Sequence, residues 1–464
     1  MNSEVKQNKM ETMKESRLLF SISIPIIISM VVQALYNIVD SIFVASYNNI
    51  EGTGALTLAF PVQNLLLAVS VGMAVGINAL LSRSLGQKRF DKANRIAGQG
   101  FFLMACGYII FLVFGIFFAD DYANSQSGGN ALLAEYTTEY LTVVCVGSIS
   151  VFVQILSERL LQATGRSLFS MVTQASGAIV NIILDPILIF GWFGLPEMGV
   201  FGAAIATVIG QVVAAVLGIF FNLRFNEDIR IKIKNFIPDF AQIKEILTIS
   251  IPSVLMQAVG TVMTLCMNMI LMNRFNEIAM NVFGVYFKLQ SFIFMPIFGL
   301  NSGMVPIIAY NYGAKRSDRV YKTMRLSYVT AIGYAVLGFA TFQIFPETLL
   351  SIFSAGEEML AIGRVALRVI SISFIFAGFS IISISTCQAL GTSIFALFVS
   401  VGRQLVVLIP VAFVLSLFDN VDLVWWAFPI AELMSLVLSA IFLFITLRSK
   451  FGKNSDVGVI DEFK

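Results

Sequence analysis

Apolar stretches of about 20 residues recur along the chain, and polar residues fall mostly in the short breaks between them. A helix needs about 20 such residues to cross roughly 30 Å of hydrocarbon. The pattern predicts twelve spans, at 18–45, 54–81, 94–118, 134–157, 167–191, 199–222, 240–272, 278–309, 323–345, 359–384, 393–416 and 423–447. The expected fold is an all-α polytopic membrane protein.

The pattern also repeats. SISIP at 21–25 returns as TISIP at 248–252, and LGQKRFD at 85–91 returns as YGAKRSD at 312–318, both at an offset of 227. QATGRSLF at 162–169 returns as QALGTSIF at 388–395 at an offset of 226. A duplicated six-helix unit explains this near-constant spacing. Six is even, so both halves enter the membrane from the same side. The expected arrangement is two parallel six-helix lobes related by a pseudo-two-fold axis along the membrane normal. The first lobe takes residues 1–222, the stretch 223–239 with Pro238 is a linker, and the second lobe takes 240–464.

Composition fits this picture. Of the 464 residues 57% are hydrophobic and 12% charged, whereas soluble domains carry about 25% charged residues. Lys and Arg gather in the N-terminal tail, near 83–95, at 224–244, at 315–325 and from 448 onward, while the intervening loops carry Asp120, Asp121, Glu197, Glu347, Asp419 and Asp422. The positive-inside rule therefore places both termini in the cytoplasm. The apolar run after residue 17 is too long for a signal-peptide core, so the N-terminus is expected to be retained. With a net charge of +2 spread over short loops, no nucleic-acid partner is expected.

The chain has no histidine, and its four cysteines lie singly in apolar runs, so they read as buried hydrophobes. No nucleophile constellation and no G-x-x-x-x-G-K-[ST] nucleotide loop is present, which argues against an enzyme and against a built-in motor. A secondary transporter with no cofactor, driven by H+ or Na+, follows. A cavity between two lobes that rock in alternating access is the expected mechanism.

Candidate chemistry rests on acids inside spans, which are costly and by default functional. Asp40 in QALYNIVDSIF shares a helix face with Gln33 and Asn37, and Tyr36 lies one turn earlier. Asp185 in NIILDPILIF shares a face with Asn181. Both acids fall five or six residues before the outer end of a span, so they sit at similar depth and are the candidate cation-coupling pair. By the repeat, Asp40 corresponds to Met267 and Asp185 to Val411, and QLVVLIPVAF at 404–413 keeps a proline but no acid. The coupling function is therefore expected in the first half alone.

Gln33, Tyr36, Asn37, Asn64 and Asn181 are candidate cavity residues, with Lys288 and Arg403 from the second half. Lys288 is a candidate partner of Glu432, and Arg368 is a further in-span base. Glu158 and Arg159 read as interfacial at the end of the fourth span. Gly72 and Gly76 read as a site of close helix approach.

The runs NIILDPILIFG, VPIIAYNYGAKR and YNIVDSIFVA resemble the multidrug and toxic compound extrusion (MATE) transporters, in particular the bacterial DinF-like and MepA-like branch. The resemblance covers nearly the whole chain. It implies export of drug-like organic cations by antiport, acting as a monomer among membrane lipids, with Asp40 and Asp185 as N-lobe acids. The acids that some branches place in helices seven and ten are missing here, where Asn268 and Arg368 stand instead. The alternative reading is a flippase or exporter of a lipid-linked or anionic metabolite, with Lys288, Arg368 and Arg403 holding the anion.

Overall fold

A computed structural model describes residues 8–47, 51–353 and 356–452. Among them it contains helices and turns and no strand. In order these are α1 (Lys9–Thr12), α2 (Glu15–Tyr47), α3 (Glu51–Gly86), α4 (Phe90–Phe117), α5 (Ala119–Gln126), α6 (Ala131–Val146), α7 (Ile149–Ala163), α8 (Ser167–Ile189) and α9 (Gly199–Phe225). They are followed by α10 (Phe240–Arg274), α11 (Glu277–Gly313), α12 (Ser317–Ile344), α13 (Pro346–Ser351), α14 (Glu357–Ala389) and α15 (Ser393–Val401). The last are α16 (Ile409–Ser416), α17 (Val421–Val424) and α18 (Ala427–Phe451).

Among the described residues eleven helical stretches are long and apolar enough to cross a membrane, and the bent pair α6–α7 makes a twelfth. The fourth predicted span is this pair, broken by 46°. The break has a local cause. A Cβ on Gly147 would lie 2.6 Å from the methyls of Val208 on α9, so only glycine allows the approach. Ser148 Oγ donates to Cys145 O at 2.7 Å and Ser150 Oγ donates to Gly147 O at 2.7 Å, bonds that compete with the helix ladder.

The duplication is visible in the backbone. Lys88 and Lys315, equivalent residues of the two KR turns, both adopt φ of 58°, a left-handed conformation that disfavours most side chains. Gly165 and Gly391 close the second pair of repeated turns at φ of 78° and 83°. Pro25 and Pro252, from the SISIP and TISIP segments, both lie inside helices.

Two compact units form. One comprises residues Met1–Met13 and Ser21–Val254, the other Lys14–Phe20 and Leu255–Lys464. The first unit runs past the linker expected at 223–239 because the start of α10 packs on α3. Gly72 and Gly76 permit this: a Cβ on Gly76 would overlap Ser250 Oγ, and one on Gly72 would meet Val254 N at 2.6 Å. Ser250 Oγ donates to Met73 O at 3.0 Å, and Lys92 pairs with Glu245 at 2.7 Å. The linker itself is held to α4 by Gln99, whose Nε2 donates to Asn235 O at 2.9 Å and Ile237 O at 2.7 Å.

Within the first unit α8 and α9 approach to backbone contact. A Cβ on Gly177 would stand 2.8 Å from Gly210 O, and one on Gly210 would stand 2.7 Å from Gly177 O. This close packing fixes the rotation of α8, the helix that carries Asn181 and Asp185.

Candidate functional site

Asp185 is fully buried and Asp40 is 9% exposed. The two lie on neighbouring helices of the first unit, near enough for the charge of Asp40 to act on Asp185. The helices are tied by Gln174, whose Nε2 donates to Gln33 Oε1, and by Ser167, whose Oγ donates to Ser21 O at 3.3 Å. Toward the ends of the helices Phe43 meets Phe190 edge-on, with centroids 6.4 Å apart.

Asn181, one turn before Asp185, donates to Asp185 Oδ1 at 3.2 Å and to Thr207 Oγ1 on α9 at 3.4 Å. Three oxygens stay buried without a hydrogen-bond partner among the described residues: Asp40 Oδ1, Asp185 Oδ2 and Asn181 Oδ1. No Lys or Arg forms an ion pair with either acid among the described residues. A lone buried carboxylate charge is costly by several kcal/mol. Such a group is satisfied by taking up a proton or a small cation, and the three free oxygens are the atoms that would bind it.

Two phenols face the acids. Tyr36, half-buried on α2, and Tyr140, 3% exposed on α6, each stand within electrostatic reach of both Asp40 and Asp185. Tyr140 Oη accepts a hydrogen bond from Gln63 Nε2 on α3 at 3.0 Å. Toward the C-terminal ends of α2 and α8, past the acids, lies an apolar cluster that includes Val44, Ala59, Leu141, Ile189 and Ala203. Val44 and Ile189 each follow their acid by four residues, one helical turn.

The sequence pattern brings together Gln33, Tyr36, Asp40, Asn181 and Asp185, and the structure places all five around the α2–α8 contact. Asn37 is exposed. Asn64 is half-buried and forms no hydrogen bond among the described residues. Its neighbour Gln63 is the residue that faces inward, because consecutive helical residues point about 100° apart. Tyr140, Gln63 and Thr207 were not legible beforehand. Each finds its hydrogen-bond partner on another helix, far away in sequence.

In the second unit the expected Lys288–Glu432 pair does not form. Arg403 Nη1 donates to Glu432 Oε2 at 2.9 Å instead. Lys288 is exposed, with its ammonium 5.9 Å from the Phe353 ring centroid. The reason is helical geometry. Tyr286, which feels the charge of both Glu432 and Arg403, lies two residues from Lys288 and so on roughly the opposite face of α11. Arg403 lies in a π-helical stretch, Gly402–Leu408, an irregularity often found at functional positions. Arg368 is exposed. Lys288, Arg368 and Arg403 thus form no joint basic group.

Comparison with known proteins adds a second line of evidence. The MatE family model matches twice, over residues 25–187 and 252–414, one match in each half of the repeat. The chain is 28% identical over 428 residues to multidrug export protein MepA of Staphylococcus haemolyticus (strain JCSC1435), covering 92% of this chain and 93% of that protein. It is also 28% identical over 431 residues to the MepA of Staphylococcus aureus (strain bovine RF122 / ET3-1), with the same coverage. Among solved structures, an outward-facing multidrug resistance MATE family transporter of the MOP superfamily matches with a TM-score of 0.88 at 21% identity, covering 96% of this chain and 98% of that one. A MOP superfamily transporter from Pyrococcus furiosus, described as having a binding pocket of reversed polarity that suggests a different function, matches with a TM-score of 0.86 at 21% identity and the same coverage.

Proposed function

The chain belongs to the MatE family of multidrug transporters, and on that premise we propose that it exports organic, mainly cationic or amphipathic compounds by antiport with protons. One observation carries the reading: two buried acids of the first unit stand together, each with an unpartnered oxygen and no basic partner among the described residues. Protons entering from outside would neutralise the pair. A cationic substrate, attracted by the ionised pair, would be released when the acids are protonated. Competition of that kind couples the two fluxes without any need for a nucleotide, and alternation between two lobe arrangements would carry each in turn across the membrane.

The multidrug export recorded for the MepA relatives supports this reading. Fold similarity alone does not, because the same scaffold carries the Pyrococcus furiosus protein, described as suggesting a different function. The flippase reading needs convergent positive charge for an anionic headgroup. Arg403 is matched by Glu432, while Lys288 and Arg368 are exposed elsewhere, so that reading has little support here.

The test is transport of a fluorescent organic cation in proteoliposomes under an imposed pH gradient, then under an imposed sodium gradient. The pH gradient is expected to drive transport, and Asp40→Asn or Asp185→Asn to slow it by about ten-fold or more, a loss of at least about 1.4 kcal/mol of coupling. Wild-type rates in both variants would overturn the reading, and a response to sodium alone would replace the proton by sodium.

A further inference from the structure

Helix α7 carries polar residues at every fourth position, Ser150, Gln154, Glu158 and Gln162, which places them along one face. Glu158, expected near the membrane interface, is 8% exposed and stands five residues before the end of α7. Its Oε1 accepts from Gln154 Nε2 at 3.0 Å, and no ion pair among the described residues includes it. Arg159, the charged group that acts on it, is turned round the helix and donates to Gln162 Oε1 at 2.9 Å. Gln162 Nε2 in turn donates to Ser170 Oγ at 3.0 Å. The helices packed against α7 are α3, α4, α8 and α9. Their charged side chains have other partners or positions: Lys92 pairs with Glu245, Arg95 with Asp239, Arg224 lies over Phe225, and Arg83 and Asp91 stand at helix ends. Glu158 is therefore a second buried acid of the first unit without an ion-pair partner among the described residues, and the coupling pair does not include it.

A polar thread joins it to that pair. Asp185 bonds to Asn181 and Asn181 to Thr207. One turn along α9 is Gln211, whose Oε1 accepts from Ser150 Oγ at 3.3 Å. One turn along α7 is Gln154, which bonds to Glu158. At 1.5 Å per residue Asp185 lies about 27 Å from the start of α8, whereas Glu158 lies about 7 Å from the end of α7. Both of those helix ends face the cytoplasm in the proposed orientation, so the thread runs through most of the membrane's depth.

The repeat keeps the order of spans without this thread. At the offset of 226, Ser150, Gln154 and Glu158 correspond to Phe376, Ser380 and Ile384. Thr207 and Gln211 correspond to Leu433 and Val437, and Asn181 and Asp185 to Val407 and Val411. The second half keeps one of the seven polar groups, and its helices differ as well: α14 is continuous where α6 and α7 are not, and the counterpart of α8 holds the π-helical stretch Gly402–Leu408. The thread is lost together with the acids.

We propose that Glu158 is the inner station of a proton path, taking the proton that leaves the Asp40–Asp185 pair and passing it to the cytoplasm. The Thr207 and Ser150 hydroxyls each accept one proton and donate one, so neither changes its net state. The carboxamides of Asn181, Gln211 and Gln154 orient the hydroxyls and intervening water. The carboxylate of Glu158 becomes a carboxylic acid, and then returns to carboxylate as the proton leaves.

The proposal rests on the proton-coupled reading above, and one experiment separates the two. In proteoliposomes, transport of a fluorescent organic cation is measured under a pH gradient and, separately, as counterflow at equal pH, where no net proton movement is needed. Glu158→Gln is expected to cut gradient-driven transport about ten-fold while leaving counterflow within about two-fold of wild type. Ser150→Ala, which interrupts the thread without removing a charge, is expected to slow the driven rate about three-fold with the same unchanged counterflow. It also serves as the readout should Glu158→Gln fail to insert. Driven transport at the wild-type rate in both variants overturns the role of Glu158, as does a parallel loss of counterflow. A wild-type protein that ignores the pH gradient overturns the proton-coupled reading itself.

Discussion

Asp185 declared itself in the sequence because its partner Asn181 is one turn away on the same helix, and the structure closes that bond at 3.2 Å. Residues whose partners come from other helices gave no such signal. Tyr140 and Gln63 are 77 positions apart yet hydrogen-bonded, and Thr207 meets Asn181 across 26 positions. Local spacing can show which residues share a face, but not which face meets which. Lys288 illustrates this, since its charge suggested a pair with Glu432 and the face of α11 ruled it out. The pair that does form carries a clear expectation. Glu432 is buried while the Arg403 side chain is 33% exposed, so losing Arg403 leaves a buried acid unpaired at less than the about 3–5 kcal/mol of a fully buried pair, whereas replacing both with apolar groups is often neutral. Arg403→Leu should therefore lower the melting temperature of the purified protein markedly, and Arg403→Leu with Glu432→Leu should recover most of it. A single variant as stable as wild type would show that the 2.9 Å contact contributes little.

Helix positions were legible because each span must be an uninterrupted apolar run in order to satisfy its backbone in lipid. Irregularities inside the spans were less so. The break at Gly147 depends on Val208 from α9, and the π-helical stretch at Gly402–Leu408 has no marker in the surrounding residues. The glycines predict where packing is tightest. Gly177→Val would drive side-chain atoms into Gly210 and Ala214 and rotate α8 away from α9. Overpacking of this kind costs about 1–3 kcal/mol, and the rotation should also displace Asn181 and Asp185 and impair transport. Gly284 has no neighbour within 4 Å of a would-be Cβ, so Gly284→Ala should be neutral or slightly stabilising, by up to about 1 kcal/mol. Thermal melts of the two variants side by side check both statements. Equal stability would mean that the α8–α9 approach is looser than the backbone distances indicate.

At the scale of the whole molecule the duplication organises the account. Both halves keep the turns, prolines and helix order, while only the first keeps the acids and the polar thread below them. Orientation follows from charge and is testable directly. With the native cysteines replaced, an impermeant maleimide should label Gln126→Cys in intact cells, and Asp318→Cys only after permeabilisation. The opposite pattern would invert the molecule and reverse the direction of the thread. The central claim, that proton and substrate compete for the acids of the first unit, is tested most directly by proton release. A cationic substrate is added to the purified protein in weakly buffered detergent solution near neutral pH. The wild-type protein should release protons on binding, and Asp40→Asn with Asp185→Asn should release none. Undiminished release from the double variant would contradict the account.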